Sequence, residues 1–226
     1  MENLIINEID ILKRLDKLVI NKSPGPDGLH PGILFEVQTE LSNVLKIIFN
    51  NSLQTHQVPL DWKAGNITPI FKKGNKTDAS NYRPISLTSI VCKLFESIIR
   101  DHIVQYFTVN NLFSSKQYGF IKGRSTVLQL LHILDDWTEM LEHGGQIDVI
   151  YTDFEKDIDR VPHNRLISKL HSYNVNTDII NWIKAYLENR VQRVRINSCF
   201  SNWAKVISGI PQGSILGPLL FIIYVN

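Results

Sequence analysis

Hydrophobic residues recur at helical spacing through the first part of the chain. The first run predicts an amphipathic helix over residues 2–20. Its apolar positions are Ile5, Ile9, Leu12, Leu15 and Val19. Prolines and glycines in residues 21–28 then end this helix and predict a fixed, exposed loop. Helical spacing resumes at about residue 30 and continues to Phe49, so we expect a second helix that packs against the same core.

The next region has the pattern of a β-hairpin. Residues 64–71 and 82–87 predict two strands joined by a tip at residues 72–76. The hairpin is strongly cationic and carries Lys63, Lys72, Lys73, Lys76 and Arg83. Such a tip is most often a solvated turn, and it becomes a phosphate site only if it folds over an acidic metal centre. Both interpretations stay open at this point.

Two further helices are predicted, over residues 88–107 and about 126–142, the second capped by Ser125 or Thr126. The loop between them combines cations with glycines: Lys116, Gly119, Lys122, Gly123 and Arg124. Glycines beside cations allow a close approach to a phosphate backbone. A simple connecting role is equally consistent with this composition.

The stretch 147–163 carries the strongest candidate chemistry. Residues 147–151 predict a buried strand, and Asp153 stands where the apolar run ends. A carboxylate at the exit of a buried strand suits a metal ligand, whereas capping of the next turn is the simpler alternative. The alternating acids that follow do not form a calcium loop, because Ile158 and Asn164 occupy its glycine and glutamate positions.

The C-terminal quarter predicts two helices, a strand pair, a tight turn and a final apolar helix. These segments are residues 162–170, 177–187, 190–196 with 200–207, 209–213, and 214 onward. In the first strand Arg193 and Arg195 share one face, and Val194 and Ile196 share the other. Such alternation of arginines is commonly a solvated sheet face. We expect Ser214 to cap the final helix.

Composition narrows the class of protein. With 226 residues, 43% of them hydrophobic, the chain has enough apolar side chains for a sizeable core. A net charge of +2 is too small to argue for nucleic acid by itself. Cys92 and Cys199 show no metal-binding spacing and are expected to be buried free thiols. Because no segment has the pattern of a signal peptide or bilayer span, we expect an intracellular protein, in the nucleus or cytoplasm, with no membrane partner.

Six motifs in order resemble the reverse transcriptase domain of non-LTR (LINE-type) retrotransposons. They are residues 22–28 (KSPGPDG), 62–74, 81–87 (NYRPISL), 117–126 (QYGFIKGRST), 153–163 and 209–219 (GIPQGSILGPL). One such motif would be weak, but the six occur in the order and spacing of the family along almost the whole chain. The resemblance implies an α+β fold, helix-rich with short antiparallel strands. This fold would form the fingers and partial palm of a right-hand polymerase, as one domain fragment over residues 1–226 without a thumb.

The activity implied by the resemblance is RNA-directed DNA synthesis. Its partners would be an RNA template, a DNA primer and deoxynucleoside triphosphates. Its mechanism would be two-metal phosphoryl transfer, in which two Mg²⁺ ions activate the primer hydroxyl and stabilise the leaving pyrophosphate. By this resemblance Asp153 matches the catalytic aspartate that binds both metals, and Phe154 lends a backbone carbonyl to one of them.

By the same resemblance, further residues would form the nucleotide pocket. Arg83 matches the arginine that grips the incoming triphosphate, with Lys72 as its companion. Gln212 and Gly213 match the element that shapes the pocket. Ile158 stands where an aromatic residue normally rejects ribonucleotides, and its smaller, branched side chain should weaken that rejection.

Departures from the family pattern predict impaired activity. Asp157 replaces a small residue beside the triphosphate, where an added unit charge at about 4 Å costs about 1 to 4 kcal/mol. The second acidic motif of the family, an aromatic-Ala-Asp-Asp turn, is not reached before Asn226. We therefore expect this chain to be inactive as it stands. The alternative is a degenerate, non-catalytic remnant that at most binds nucleic acid through its basic loops.

Overall fold

The computed structural model describes residues 1–153 and 158–226. The described residues form the helices α1 (Glu8–Leu15), α2 (Pro31–Glu36), α3 (Gln38–Thr55), α4 (Ile90–Val109), α5 (Thr126–Glu142), α6 (His163–Ser172), α7 (Thr177–Leu187) and α8 (Gly217–Val225). They also form the strands β1 (Ala64–Phe71), β2 (Tyr82–Leu87), β3 (Val191–Ile196), β4 (Cys199–Phe200) and β5 (Ala204–Lys205). This helix-rich α+β arrangement confirms the predicted fold class. None of these helices is long and apolar enough to cross a membrane.

A small mixed sheet is built around β1. β2 pairs antiparallel with β1, with Asn66 opposite Leu87 and Phe71 opposite Tyr82. β3 lies on the other edge of β1 and runs parallel to it over residues 64–67. The helices between β2 and β3 provide the long connection that a parallel pair requires. β4 and β5 pair antiparallel with β3, so the predicted antiparallel pairing holds everywhere in this sheet except between β1 and β3.

Several elements have the bounds that local sequence predicts. β1 and β2 match the predicted spans 64–71 and 82–87, and α7 matches 177–187. The Ser125 hydroxyl accepts a backbone N–H bond in the first turn of α5, which confirms it as the helix cap. The final helix α8 has Leu216 as its N-cap residue, so the predicted cap at Ser214 is two residues too early, although its hydroxyl accepts the Gly217 N–H at 3.0 Å.

The core is centred on α4. Phe95 of α4 stacks on Phe49 of α3 with ring centroids 4.7 Å apart and contacts Trp182 of α7 edge-on at 4.8 Å. These aromatic contacts fix three helices from distant parts of the sequence against one another. Cys92 is buried in the same core as expected. Cys199 is exposed on the two-residue β4, so the prediction that both thiols are buried is wrong.

The N-terminal helix is shorter than predicted and buries only part of the predicted apolar face. The prediction covered residues 2–20, whereas α1 has only eight residues. Ile11 and Leu15 are buried, whereas Ile5 and Ile9 are exposed. Apolar residues occupy two faces of this segment, so periodicity alone could not choose between them. Packing against α3 and α4 decides which face is covered.

The predicted strand over residues 147–151 does not form. Ile150 and Tyr151 are 87% and 86% exposed, and the segment has no regular structure. A strand needs neighbours for its backbone N–H and C=O groups, and no strand in the described ranges pairs with residues 147–151. The preceding helix α5 likewise buries none of its residues. Strand propensity without a pairing partner therefore gave the wrong prediction here.

Candidate active-site cleft

A cleft of about 1300 Å³ opens between the β1–β2 hairpin, the segment on either side of the undescribed positions 154–157, and the turn that precedes α8. It is lined by the predicted site residues Lys72, Arg83, Asp153, Ile158, Gln212 and Gly213. Phe154 was also predicted as a site residue and lies outside the described residues. The fold thus brings together positions that are far apart in the sequence, while their individual roles stay predictions.

The β-hairpin presents three cleft cations, Lys72 and Lys76 from its tip and Arg83 from β2. Arg83 lies opposite Ile70 in the antiparallel register, and the Lys72 N–H donates to Asn81 O at 2.9 Å. Within the tip, Asn81 Nδ2 donates to Asn75 O at 2.9 Å. The pKa of the neighbouring Asp78 is lowered by hydrogen bonds from Ser80, first from its backbone N–H. These bonds hold the loop while leaving the Lys72 and Arg83 side chains exposed.

The turn at residues 209–213 is fixed on both sides by close backbone contacts. The Ser86 N–H of β2 donates to Gln212 O at 2.6 Å. A Cβ on Gly213 would lie 2.7 Å from Ser86 O, and one on Gly209 would overlap Asp159 O. Both glycines also have positive φ angles, 80° at Gly209 and 108° at Gly213. Glycine is therefore required at both ends of the turn.

Gln212 is oriented by a carboxylate that sequence reasoning did not assign to the site. Its Nε2 lies 3.0 Å from each carboxylate oxygen of Asp159. The Ile210 N–H donates to Ile158 O at 2.9 Å, which ties the same turn to the segment containing Asp159. The sequence excluded a calcium loop for the alternating acids after Asp153 and gave Asp159 no role, whereas in the structure Asp159 binds Gln212.

Asp153 fits a divalent-metal site as one ligand of several. Its exposed side chain lines the cleft, and a carboxylate is the donor type that hard cations prefer. Such cations take about six oxygen ligands. Residues 1–153 and 158–226 contain no group of three or more His, Cys, Asp or Glu side chains arranged to hold a metal ion. The donor chemistry fits, and the described part of the chain does not complete the ligand set.

Two basic residues outside the hairpin bind their own surroundings. Arg124 donates to the carbonyl oxygens of Ser114 at 2.6 Å and Gln117 at 2.5 Å, which fastens the loop before α5. The Arg193 guanidinium lies 4.0 Å from the ring centroid of Phe200 and 4.4 Å from that of Trp203. The arginine face of β3 is thus partly covered rather than fully solvated. These contacts favour the structural interpretation for both arginines.

The family model described as "Reverse transcriptase (RNA-dependent DNA polymerase)" matches residues 70–226. The chain belongs to the reverse transcriptase family. The matched range contains all of the cleft residues named above, from Lys72 to Gly213. Members of this family generally use divalent metal ions.

Curated relatives of this reverse transcriptase chain come from retrotransposons. It is 31% identical over 216 residues to a probable RNA-directed DNA polymerase from transposon BS of Drosophila melanogaster, covering 95% of the chain and 24% of that protein. It is 31% identical over 205 residues to the probable polymerase from transposon X-element of the same organism, covering 90% and 22%. The polymerase from mobile element jockey of that organism is 28% identical, with 96% and 24% covered. The chain spans about a quarter of the length of these relatives.

These relatives confirm the predicted membership among non-LTR retrotransposon reverse transcriptases. Among solved structures, a chain of a partial Cas6-RT-Cas1–Cas2 complex aligns with 95% of this chain and 32% of its own length. Its sequence identity is 19% and its TM-score 0.44.

A buried carboxylate beneath the reverse transcriptase cleft escaped sequence reasoning. Glu96 of α4 is fully buried, and one carboxylate oxygen accepts the Ile215 N–H at 2.7 Å and the Leu216 N–H at 3.1 Å. The Tyr186 hydroxyl donates to the other oxygen at 3.2 Å. Burial raises the pKa of Glu96, opposed by the two backbone bonds and by the Arg190 charge. Its place within an apolar stripe of α4 was the signal that could have revealed it.

Phe120 was also missed as a cleft residue. Its side chain is 78% exposed, lines the cleft and belongs to a residue with a φ of 59°. A non-glycine residue in left-handed backbone is uncommon and often marks a constrained loop. Sequence reasoning considered only the cations and glycines of this loop.

Proposed function

We propose that this cleft binds a deoxynucleoside triphosphate for RNA-directed DNA synthesis, with the chain acting as the fingers and partial palm of the polymerase. The supporting observation is that Lys72, Arg83, Asp153, Ile158, Gln212 and Gly213 line one cleft. An RNA template and a DNA primer are the nucleic-acid partners in this proposal. We also propose an intracellular location, in the nucleus or cytoplasm.

The triphosphate would lie against the hairpin. Arg83 has a planar guanidinium that suits bidentate contact with phosphate oxygens, and Lys72 adds a second positive charge nearby. Lys72 directly follows β1 and Arg83 lies on β2, so the hairpin backbone places both residues at the cleft. Gln212, oriented by Asp159, would contact the nucleotide from the opposite wall, and the absence of a side chain at Gly213 leaves room for it.

Ile158 would face the sugar of the bound nucleotide. It is part-buried, and its backbone oxygen is bound by the Ile210 N–H. A branched aliphatic side chain fills less space than an aromatic ring. We therefore expect weaker discrimination between ribonucleotides and deoxyribonucleotides than an aromatic residue at this position would give.

The proposed metal is Mg²⁺, held in part by Asp153 and by the backbone carbonyl of Phe154. When bound, the cation would neutralise charge on the phosphate oxygens and favour loss of the pyrophosphate. Asp153 would contribute an exposed carboxylate at the cleft, while Arg83 and Lys72 would hold the phosphates in line. The expectation that the 226-residue chain alone is inactive stays a prediction, and Mg²⁺-dependent primer extension by the purified chain would contradict it.

A direct test is titration of a fluorescent deoxynucleoside triphosphate into the purified chain with Mg²⁺. We expect Arg83→Ala to weaken binding roughly tenfold or more, because a charge-assisted contact is lost. Arg165→Ala removes the same charge from an exposed position of α6 and should leave binding unchanged. Absence of binding by the wild-type chain, or equal binding by both variants, would overturn the proposed nucleotide site.

The alternative function, a remnant that only binds nucleic acid, has one supporting observation in the exposed hairpin cations. Lys72, Lys73 and Lys76 all lie at the surface of the tip. The internal contacts of Arg124 and Arg193 make the other basic segments weaker candidates. Nucleic-acid binding without nucleotide binding would favour this alternative.

A further inference from the structure

The carboxylate of Glu96 binds the main chain between Gly213 and Gly217, two residues that line the cleft. It is fully buried on α4 and accepts the main-chain N–H groups of Ile215 and Leu216. These residues immediately precede α8, whose first residue is Gly217. The start of a helix leaves several N–H groups without intrahelical partners. Glu96 therefore supplies, from another helix, the acceptor for the chain that enters α8.

The same short stretch carries the pocket residues. Gln212 and Gly213 are consecutive, and only Ser214 separates Gly213 from Ile215. The Gln212 carbonyl is bound by β2 through the Ser86 N–H at 2.6 Å. The stretch is thus fastened at one end by the sheet and at the other end by Glu96. Displacement at either end would move the glutamine and glycine between them.

Further polar groups surround the buried carboxylate of Glu96. The Tyr186 hydroxyl donates to it at 3.2 Å, and the buried Arg190 stacks on the Tyr186 ring with its guanidinium 4.5 Å from the centroid. Arg190 in turn donates to Tyr186 O at 3.1 Å. A buried carboxylate loses hydration, and an apolar side chain of similar size often packs at lower cost. Stability alone therefore gives a weak reason for a carboxylate here.

We propose that Glu96 is a positioning residue for the nucleotide pocket, where its buried carboxylate sets the place of Gln212 and Gly213 by holding the chain that enters α8. The inference rests on the proposed nucleotide site. It assigns the placement of two pocket residues to a contact between α4 and the chain that enters α8, a contact that touches no substrate.

The test combines hydrogen exchange with nucleotide titration on the full chain. In Glu96→Ala we expect the amides of residues 209–217 to exchange roughly tenfold faster or more, and the nucleotide to bind roughly tenfold more weakly. Glu96→Gln keeps an acceptor of the same shape and should restore most of both properties. Should the alanine variant fail to fold, Glu96→Asp withdraws the carboxylate by one methylene and is expected to show the same two changes in smaller degree.

Ile99→Ala is the matched control. Ile99 is fully buried on the same helix, so its truncation should lower the melting temperature while leaving exchange at 209–217 and nucleotide affinity at wild-type values. Faster exchange in Glu96→Ala with unchanged nucleotide affinity would overturn the positioning role. Failure of the wild-type chain to bind nucleotide would overturn the proposed function instead. Unchanged exchange in Glu96→Ala would overturn the inference in either case.

Discussion

At the scale of single residues, two glycines differ in a way that separates backbone strain from steric contact. Gly28 and Gly213 both have positive φ, 71° and 108°. A Cβ on Gly28 would meet nothing within 4 Å, whereas one on Gly213 would lie 2.7 Å from Ser86 O. A side chain at position 28 would therefore cost only the strain of left-handed backbone. A side chain at position 213 would add the cost of separating the turn from β2.

We predict that Gly28→Ala lowers the free energy of unfolding by about 1 kcal/mol and Gly213→Ala by about 2 to 4 kcal/mol. Urea unfolding followed by circular dichroism measures both values. Only Gly213→Ala should also weaken nucleotide binding, because only that change moves a wall of the cleft. Equal losses of stability would contradict the close contact with β2.

Glu96 gives a prediction about pH. Because burial raises its pKa above the ordinary value of 4.5, the folded chain binds this proton more tightly than the unfolded chain. The stability that comes from the protonated form is complete below pH 4.5 and is lost as the pH rises through the raised pKa. Arg190 and Lys93 oppose the shift, and Cys92 and Tyr186 are neutral neighbours with raised pKa values of their own.

We therefore expect the free energy of unfolding of the wild-type chain, relative to that of Glu96→Gln, to fall as the pH rises above 4.5. Chemical denaturation at a series of pH values measures this difference. Arg165→Gln is a suitable reference, since it alters an exposed side chain of α6 outside the cleft lining. A flat difference between wild type and Glu96→Gln would show that Glu96 has the same pKa in the folded and unfolded chain.

At the scale of elements, α4 connects the core to the cleft. Phe95 packs against aromatic residues from α3 and α7, and Glu96, the next residue, binds the start of α8. One helix thus presents a hydrophobic anchor and a polar anchor on neighbouring positions. This arrangement couples the stability of the helical core to the geometry of the pocket.

Alanine substitution at two phenylalanines should distinguish a residue of the core from a residue of the cleft lining by its effect on stability. We predict that Phe95→Ala lowers the free energy of unfolding by about 3 to 5 kcal/mol, because it opens a cavity among buried rings. Phe120→Ala should change it by less than about 0.5 kcal/mol, since the ring is 78% exposed. Thermal and urea unfolding provide the comparison. A large loss at Phe120 would indicate that its loop contributes to the core.

At the scale of the whole molecule, the candidate site is an assembly of segments that the chain brings together from distant positions. The hairpin, Asp153, Ile158 and the 209–213 turn line one cleft, in which β2 bonds to Gln212 and Ile158 bonds to Ile210. The positive charges of the hairpin tip face outward next to this cleft. That placement would serve a polyanion passing the entrance.

We predict that binding of single-stranded RNA weakens steeply with salt. Replacing Lys72, Lys73 and Arg83 together by alanine should reduce the slope of log K against log salt by about 2, because each lost phosphate contact removes about 0.7. A triple variant at Lys13, Lys17 and Arg165 removes equal charge from exposed positions outside the cleft lining. Salt-independent binding, or the same slope in both triple variants, would argue against a role for the hairpin in nucleic-acid binding.

Local patterns were sufficient wherever an element needed only its own residues. The β1–β2 hairpin, α7 and the Ser125 cap follow from alternation, helical spacing and capping chemistry, each of which acts over a few residues. The ordered motifs likewise identified the family, because they are properties of the chain itself. The sequence also predicted which residues would be candidates for the cleft.

Tertiary structure decided everything that depends on a partner far along the chain. It selected the buried face of α1, placed β3 parallel to β1 and left residues 147–151 without a strand neighbour. It also paired Gln212 with Asp159 and Glu96 with the chain entering α8. Burial and hydrogen bonding between distant residues depend on which surfaces meet. No periodicity or spacing within one segment contains that information.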